Sequence, residues 1–135
     1  MWIDPARNYD LIGDVHGCAQ SLERLLALLG YKKHAGVWQH SDRQVLFLGD
    51  LIDRGPQIRE TLHIVHAMVE AGHAISIMGN HEYYALAWNT TLEHGGEEAY
   101  VREHSAHHAR LQRETLEQFA EHPYDWQDFN QWFLT

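Results

Sequence analysis

Three apolar runs in this chain end the same way, with a glycine followed at once by an oxygen-bearing side chain: Ile12-Gly13-Asp14, Leu48-Gly49-Asp50 and Met78-Gly79-Asn80. One such residue is an ordinary turn former. Three of them, with His16 two places after Asp14, make a donor set of two carboxylates, an imidazole and an amide oxygen, which suits a borderline transition metal. In an extended segment residues two apart point to one side, so Asp14 and His16 are expected to act together. Two carboxylates converging on one spot repel each other unless a cation lies between them. Asp50, at the end of the most apolar run, can bridge to a second ion, and Asn80 can add a neutral oxygen. Paired metals of this kind serve in-line attack on phosphorus by metal-bound hydroxide.

The charged residues nearby fit the same chemistry. Arg54 can clamp phosphate oxygens through two parallel hydrogen bonds. His81, next to Asn80, is placed to protonate a leaving alkoxide, with Asp53 holding its other ring nitrogen. Glu82 reads as a hydrogen-bonding support for the ligands rather than a ligand. His104 and His108 have the i, i+4 spacing of a metal pair, but with His107 beside them they read as a solvated helical face. Cys18 reads as a small packing residue at a helix start.

The elements that must carry these residues alternate. Tyr9–Ile12 and Val45–Leu48 read as strands, and Ala74–Met78 as a third. Leu22, Leu25, Leu26 and Leu29 fall at helical spacing before Gly30; Ile58, Leu62, Val65, Met68 and Val69 do so before Gly72. Val37 and Trp38 suggest a small edge strand. Strand, helix, strand, helix, strand predicts a parallel sheet with crossover helices, whose ligand site lies beyond the carboxyl ends of the strands. Residues 93–122 are polar and helical in tendency, with Gly95-Gly96 as a helix-entry turn. Trp126, Phe129, Trp132 and Phe133 form an apolar stripe at helical spacing; with no later strand for it to lead into, it must fold back on the sheet or meet another molecule, and self-association through it is expected.

Composition excludes several classes of function. At 135 residues the chain has the length of one domain. Its net charge of −9 argues against general binding to nucleic-acid backbones, so an anionic substrate would need local arginines or metal ions. The single cysteine allows no internal disulfide and no cysteine-based zinc site. No stretch reads as a signal peptide or membrane span, and a soluble, cytoplasmic protein is expected.

With these residues in place, "GDVHG" at 13–17, "GDLIDRG" at 49–55 and "GNHE" at 79–82 resemble, in order and separation, the first signatures of the calcineurin-like metallophosphoesterases. The Asp-Arg-Gly within the second resembles the branch that holds the serine/threonine phosphoprotein phosphatases and the symmetrical diadenosine tetraphosphate hydrolases. The resemblance implies Asp14, His16 and Asp50 on a first metal, Asp50 and Asn80 on a second, Arg54 on phosphate, and His81 with Asp53 as general acid. The ions it implies are two divalent metals: manganese, iron or zinc. The implied fold is α/β, the N-terminal portion of a metallophosphoesterase αββα sandwich, with residues 1–90 as the metal-site part and 91–135 as a helical lid or connector of one truncated domain.

The family's second metal also takes two histidines from later strands, for which this chain offers no match; "EHGG" at 93–96 lies too close to His81. The implied function is therefore a metal-dependent phosphoesterase of the serine/threonine phosphatase type. The alternatives are a dinucleoside polyphosphate hydrolase, and an inactive fragment with a partial metal site that works only by association. A phosphorylated small molecule, a nucleotide or a phosphoprotein is the implied substrate.

Overall fold

The computed structural model describes residues 3–92 and 99–135. Along them run β1 (Asn8–Ile12), α1 (Ala19–Leu28), β2 (Lys32–His34), β3 (Val37–Gln39), β4 (Arg43–Phe47), α2 (Ile58–Glu70), β5 (Ala74–Ser76), α3 (Asn80–Asn89), α4 (Ala106–Gln118) and α5 (Pro123–Phe133). The three main strands pair in parallel in the order β1-β4-β5, so the fold is α/β as the alternation predicts. This order puts β4 in the middle, with the tips of β1 and β5 on either side of Asp50. Ile12, Val45, Phe47 and Ala74 share one face and are buried. Across the other face Leu11, Leu46 and Ile75 stand in register, and Leu11 is 64% exposed. The predicted helical stripes, Leu22 and Leu26 on α1 and Ile58, Leu62, Val65 and Met68 on α2, join the buried face in one core.

Several elements differ from the expectation. Val37 and Trp38 belong to a separate antiparallel hairpin of β2 and β3, not to an edge of the main sheet. The third strand stops at Ser76 instead of Met78, although the Ile77 N–H still donates to the Phe47 carbonyl at 3.0 Å. Beyond that point the chain turns towards Gly49, where φ is +90° and a Cβ would strike the backbone of Gly79. The helix α3 then starts directly at Asn80. His104 and His108 do not share a helix, because α4 begins at Ala106 behind the N-cap Ser105, whose hydroxyl accepts from the His108 N–H at 3.1 Å. His104 stacks between Trp88 and Tyr100, at centroid distances of 3.7 and 3.8 Å, and His108 Nδ1 bonds the Glu103 carbonyl. The Gly95-Gly96 turn lies outside the described residues. No described helix is long and apolar enough to cross a membrane.

The C-terminal stripe finds cover within the chain. Phe129 and Phe133 are 4% and 8% exposed, and Trp126 and Trp132 pack against the same core. The Phe129 ring meets His63 edge-on, and Trp132 meets His66, so α5 lies along α2. Asp125 fixes the pairing through Arg59 Nε at 2.7 Å and His63 Nε2 at 2.8 Å. Phe129 and Phe133 are thus covered from inside the chain, while Trp126 and Trp132 stay partly buried.

Two of the carboxylates that tie elements together predict acid sensitivity. Burial pushes the Asp125 carboxyl up, but bonds from His63 and Arg59 more than reverse this and hold it below its ordinary 3.8. Asp10 behaves alike: burial is outweighed by Arg43 and Tyr31, and its carboxyl too lies below 3.8. A depressed folded value means that the stabilisation is full above the unfolded value and is lost as pH falls through the folded one. Stability measured by denaturant titration is expected to fall as pH drops below 3.8. The fall should be shallower in Asp125→Asn, and an unchanged slope in that variant would remove Asp125 as a source.

Candidate active site

The loops after β1 and β4 are stitched together by backbone. The Val15 and His16 N–H groups donate to the Asp50 carbonyl at 3.1 and 3.0 Å, and the Gly17 N–H donates to the Leu51 carbonyl at 2.8 Å. Gly55 packs so closely on this crossing that a Cβ there would collide with the His16 carbonyl. The side chains at the crossing are held on unusual backbone. His16, Asp50, Asp53 and Arg54 have φ of +44°, +54°, +68° and +71°; Ala35 is the one other described non-glycine residue with positive φ. Left-handed backbone costs a residue with a Cβ about 1–2 kcal/mol and persists where the surroundings over-determine it. Four of the seven residues expected as ligands or to handle phosphate and protons therefore sit on strained backbone.

These loops bring two of the expected ligands, His16 and Asp50, together with His81, which was expected as the general acid. His16, Asp50 and His81 each offer a ligand atom within 4.8 Å of the others. His16 Nδ1 donates to the Ile52 carbonyl at 2.8 Å, which fixes the ring and leaves Nε2 for a metal. Asp14 lies at the rim: its side chain is 61% exposed, with Oδ2 at 3.6 Å from His16 Nε2. The two approach through a turn at His16, not through the extended segment the spacing suggested. The Asn80 amide lies 2.9 and 3.1 Å from the two Asp50 oxygens. With its NH2 towards Asp50 it bonds both; with its oxygen towards Asp50 three acceptors face one another, an arrangement a cation relieves. His16, Asp50 and His81 thus form a group that could hold a divalent ion, with Asp14 at its rim and the Asn80 amide beside Asp50.

Glu82 is the support the sequence suggested. It is 2% exposed, and its carboxylate accepts from the N–H groups of Asp50 at 2.8 Å, Leu51 at 2.6 Å and Gly79 at 3.1 Å. A buried carboxylate is tolerable when hydrogen-bonded this fully, and here it locks the tip of β4 to the start of α3. Asp53 and His81 form the expected pair, Oδ2 to Nδ1 at 2.7 Å, with Asp53 only 1% exposed. His81 is held from its backbone as well, its N–H donating to Asp50 Oδ1 at 3.0 Å. Arg54 is exposed, and no ion pair engages it among the described residues.

Three residues on α4 that contact the site were missed in the sequence. Thr115 Oγ1 donates to Asp53 Oδ1 at 2.6 Å and accepts from the Asp53 N–H at 3.0 Å. Gln118 accepts from the Ile58 N–H and donates to the Gly55 carbonyl. Gln112, also buried, reaches the Tyr84 carbonyl at 3.4 Å. The signal available was their spacing: uncharged polar residues every three positions along a helix otherwise rich in charge.

The model of the calcineurin-like phosphoesterase family matches residues 8–135, nearly the whole chain. The chain belongs to that family. Among the relatives of this phosphoesterase is a bis(5'-nucleosyl)-tetraphosphatase PrpE, designated asymmetrical, from Oceanobacillus iheyensis; it is 38% identical over 116 residues, which cover 83% of this chain and 46% of the relative. The chain spans about half the length of the curated relatives it matches. A solved chain provisionally assigned as a diadenosine tetraphosphatase superposes with a TM-score of 0.47 at 27% identity, covering 62% of this chain and 33% of the other. A cold-active protein tyrosine phosphatase superposes with a TM-score of 0.41 at 27% identity, over 86% of this chain and 33% of its own.

Proposed function

We propose that this phosphoesterase hydrolyses the phosphoanhydride chain of dinucleoside polyphosphates, the reading that ranked as an alternative on motifs alone. The observation that carries hydrolytic chemistry is the Asp53–His81 pair set beside His16, Asp50 and Asn80 beyond the carboxyl ends of the strands. The relatives named as tetraphosphatases favour this substrate over a phosphoprotein. Asp14, His16, Asp50 and Asn80 are the residues that would hold divalent ions, which when bound supply Lewis-acid polarisation of phosphoryl oxygens and activate water. Manganese, iron and zinc all suit this donor set.

The chain's own residues do the rest. Arg54, exposed beside the site, offers a planar fork of donors to two phosphoryl oxygens. His81 gives its Nε2 proton to the departing oxygen, and Asp53 keeps Nδ1 as the bonded nitrogen. Glu82 holds the loops through which Asp50 and Asn80 meet.

The test is a substrate panel with manganese: diadenosine tetraphosphate, a phosphothreonine peptide and an aryl phosphate, with the nucleotide products separated by anion exchange. The tetraphosphate is expected to react fastest. Adenosine mono- and triphosphate together would mark asymmetrical cleavage, and two molecules of the diphosphate the symmetrical kind. Faster turnover of the peptide would overturn this substrate and restore the serine/threonine phosphatase reading. No turnover of any member would leave the partial-site fragment as the account of this chain.

A further inference from the structure

The residues of the site come from loops after β1 and β4 and from the start of α3, yet the Asp53–His81 pair is completed from a different element. Thr115, on α4 and 62 positions away from Asp53, is 1% exposed and makes two bonds to one residue. Its hydroxyl accepts from the Asp53 N–H at 3.0 Å and donates to Asp53 Oδ1 at 2.6 Å. Asp53 sits at φ +68°, a conformation a residue with a Cβ adopts at a cost. One hydroxyl therefore holds both the strained backbone and the carboxylate rotamer of the residue that orients His81. The donor to Oδ1 also leaves Oδ2 as the oxygen that meets His81 Nδ1, at 2.7 Å.

The two neighbouring polar residues of α4 show that this contact belongs to a pattern. Gln118 bonds the Gly55 carbonyl and the Ile58 N–H, directly after Asp53-Arg54. Gln112 reaches the Tyr84 carbonyl, one turn after His81 on α3. Gln112, Thr115 and Gln118 recur every three residues, so one face of α4 grips the backbone on both sides of the pair and the pair itself. Buried polar chains of this kind fix geometry only when every member is bonded.

We propose that Thr115 is a positioning residue, which sets the rotamer of Asp53 and through it the ring orientation and tautomer of His81. The kinetic part of the proposal rests on His81 acting as proton donor, as read above; the tautomer part does not. Thr115→Val keeps the side-chain shape and deletes the hydroxyl, so it leaves the Asp53 N–H and Oδ1 without their partner in a buried place.

The test uses the metal-free chain, 15N-labelled at histidine. In the wild type His81 is expected to keep its Nδ1 proton towards Asp53, as the Nδ1–H tautomer whenever the ring is neutral, with a downfield, slowly exchanging ring proton. Thr115→Val should lose that proton signal to exchange and show mixed tautomers in long-range nitrogen–proton spectra, while Thr115→Ser retains the wild-type pattern. Undisturbed His81 signals in a folded Thr115→Val would overturn the proposal. Where Thr115→Val does not fold, the serine variant decides: a folded Thr115→Ser that loses the ring proton refutes the hydroxyl's role, and one that keeps it upholds it. With substrate, Thr115→Val should lower kcat on an alkyl phosphate about ten-fold, a fraction of what general acid catalysis supplies. It should barely touch an activated aryl phosphate. Equal losses on both would mark a merely structural residue.

Discussion

Asp50→Asn is expected to abolish manganese-dependent hydrolysis. Asp50 is the central strand's contribution, and its two oxygens lie 2.9 and 3.1 Å from the Asn80 amide while Oδ1 also accepts the His81 N–H. The substitution keeps size and one acceptor but removes the charge with which Asp50 would hold a divalent ion. It also leaves the backbone at ease, since asparagine tolerates the +54° φ as well as aspartate does. A loss of activity in this variant therefore reads on the ions and not on the fold. The fall should exceed the roughly 10–100-fold that follows from changing groups outside the ligand shell. Hydrolysis rate and metal content by mass spectrometry are measured together. Near-normal values of both would exclude Asp50 as a bridge.

The second large effect is expected at His81. His81→Gln cannot donate a proton from a ring nitrogen, and it leaves Asp53 Oδ2 without its imidazole. Alkyl phosphates, whose leaving oxygen needs a proton, should slow by about a hundred-fold or more relative to activated aryl phosphates, the range of general acid catalysis. His81 is also one of the three residues whose ligand atoms converge within 4.8 Å. The substrate dependence separates the two roles: equal losses on both classes, with lowered metal content, would make it a ligand.

Much of this site was legible because its chemistry sits where sequence patterns are strongest. Apolar runs and helical periodicity placed β1, β4, α1 and α2, and the glycines after the runs marked where Asp14, Asp50 and Asn80 would emerge. The spacing of Asp53 and His81 could not show that they touch, but their chemical types did suggest it, and they lie 2.7 Å apart. What escaped were elements whose positions are set by polar contacts. The sequence Asn80–Asn89 has no apolar stripe, because its first turn is given to the site and its helix is started by Glu82 gripping Gly79 and Asp50. Residues 93–122 read only as polar and helical in tendency, since a buried Gln112 or Thr115 looks the same in sequence as an exposed one. The extended geometry expected of Asp14–His16 failed for a similar reason: the His16 N–H bonds the Asp50 carbonyl and pulls the chain into a turn.

The reach of α4 back to Asp53 has a consequence for the order in which the molecule assembles. The strands β1 and β4 pair residues 35 positions apart, as Asn8 with Arg43, and β4 pairs with β5 over still shorter distances, as Val45 with Ala74. Thr115 and Gln118 close contacts over 62 and 60 positions. Longer loops cost more entropy to close, and contacts distant in sequence tend to form late. On a growing chain the whole sheet, with every proposed ligand, is synthesised before the hydroxyl that steadies Asp53. The ligand-bearing scaffold can thus take shape while its proton-handling pair is still loose, and maturation of the site waits on the docking of one helix.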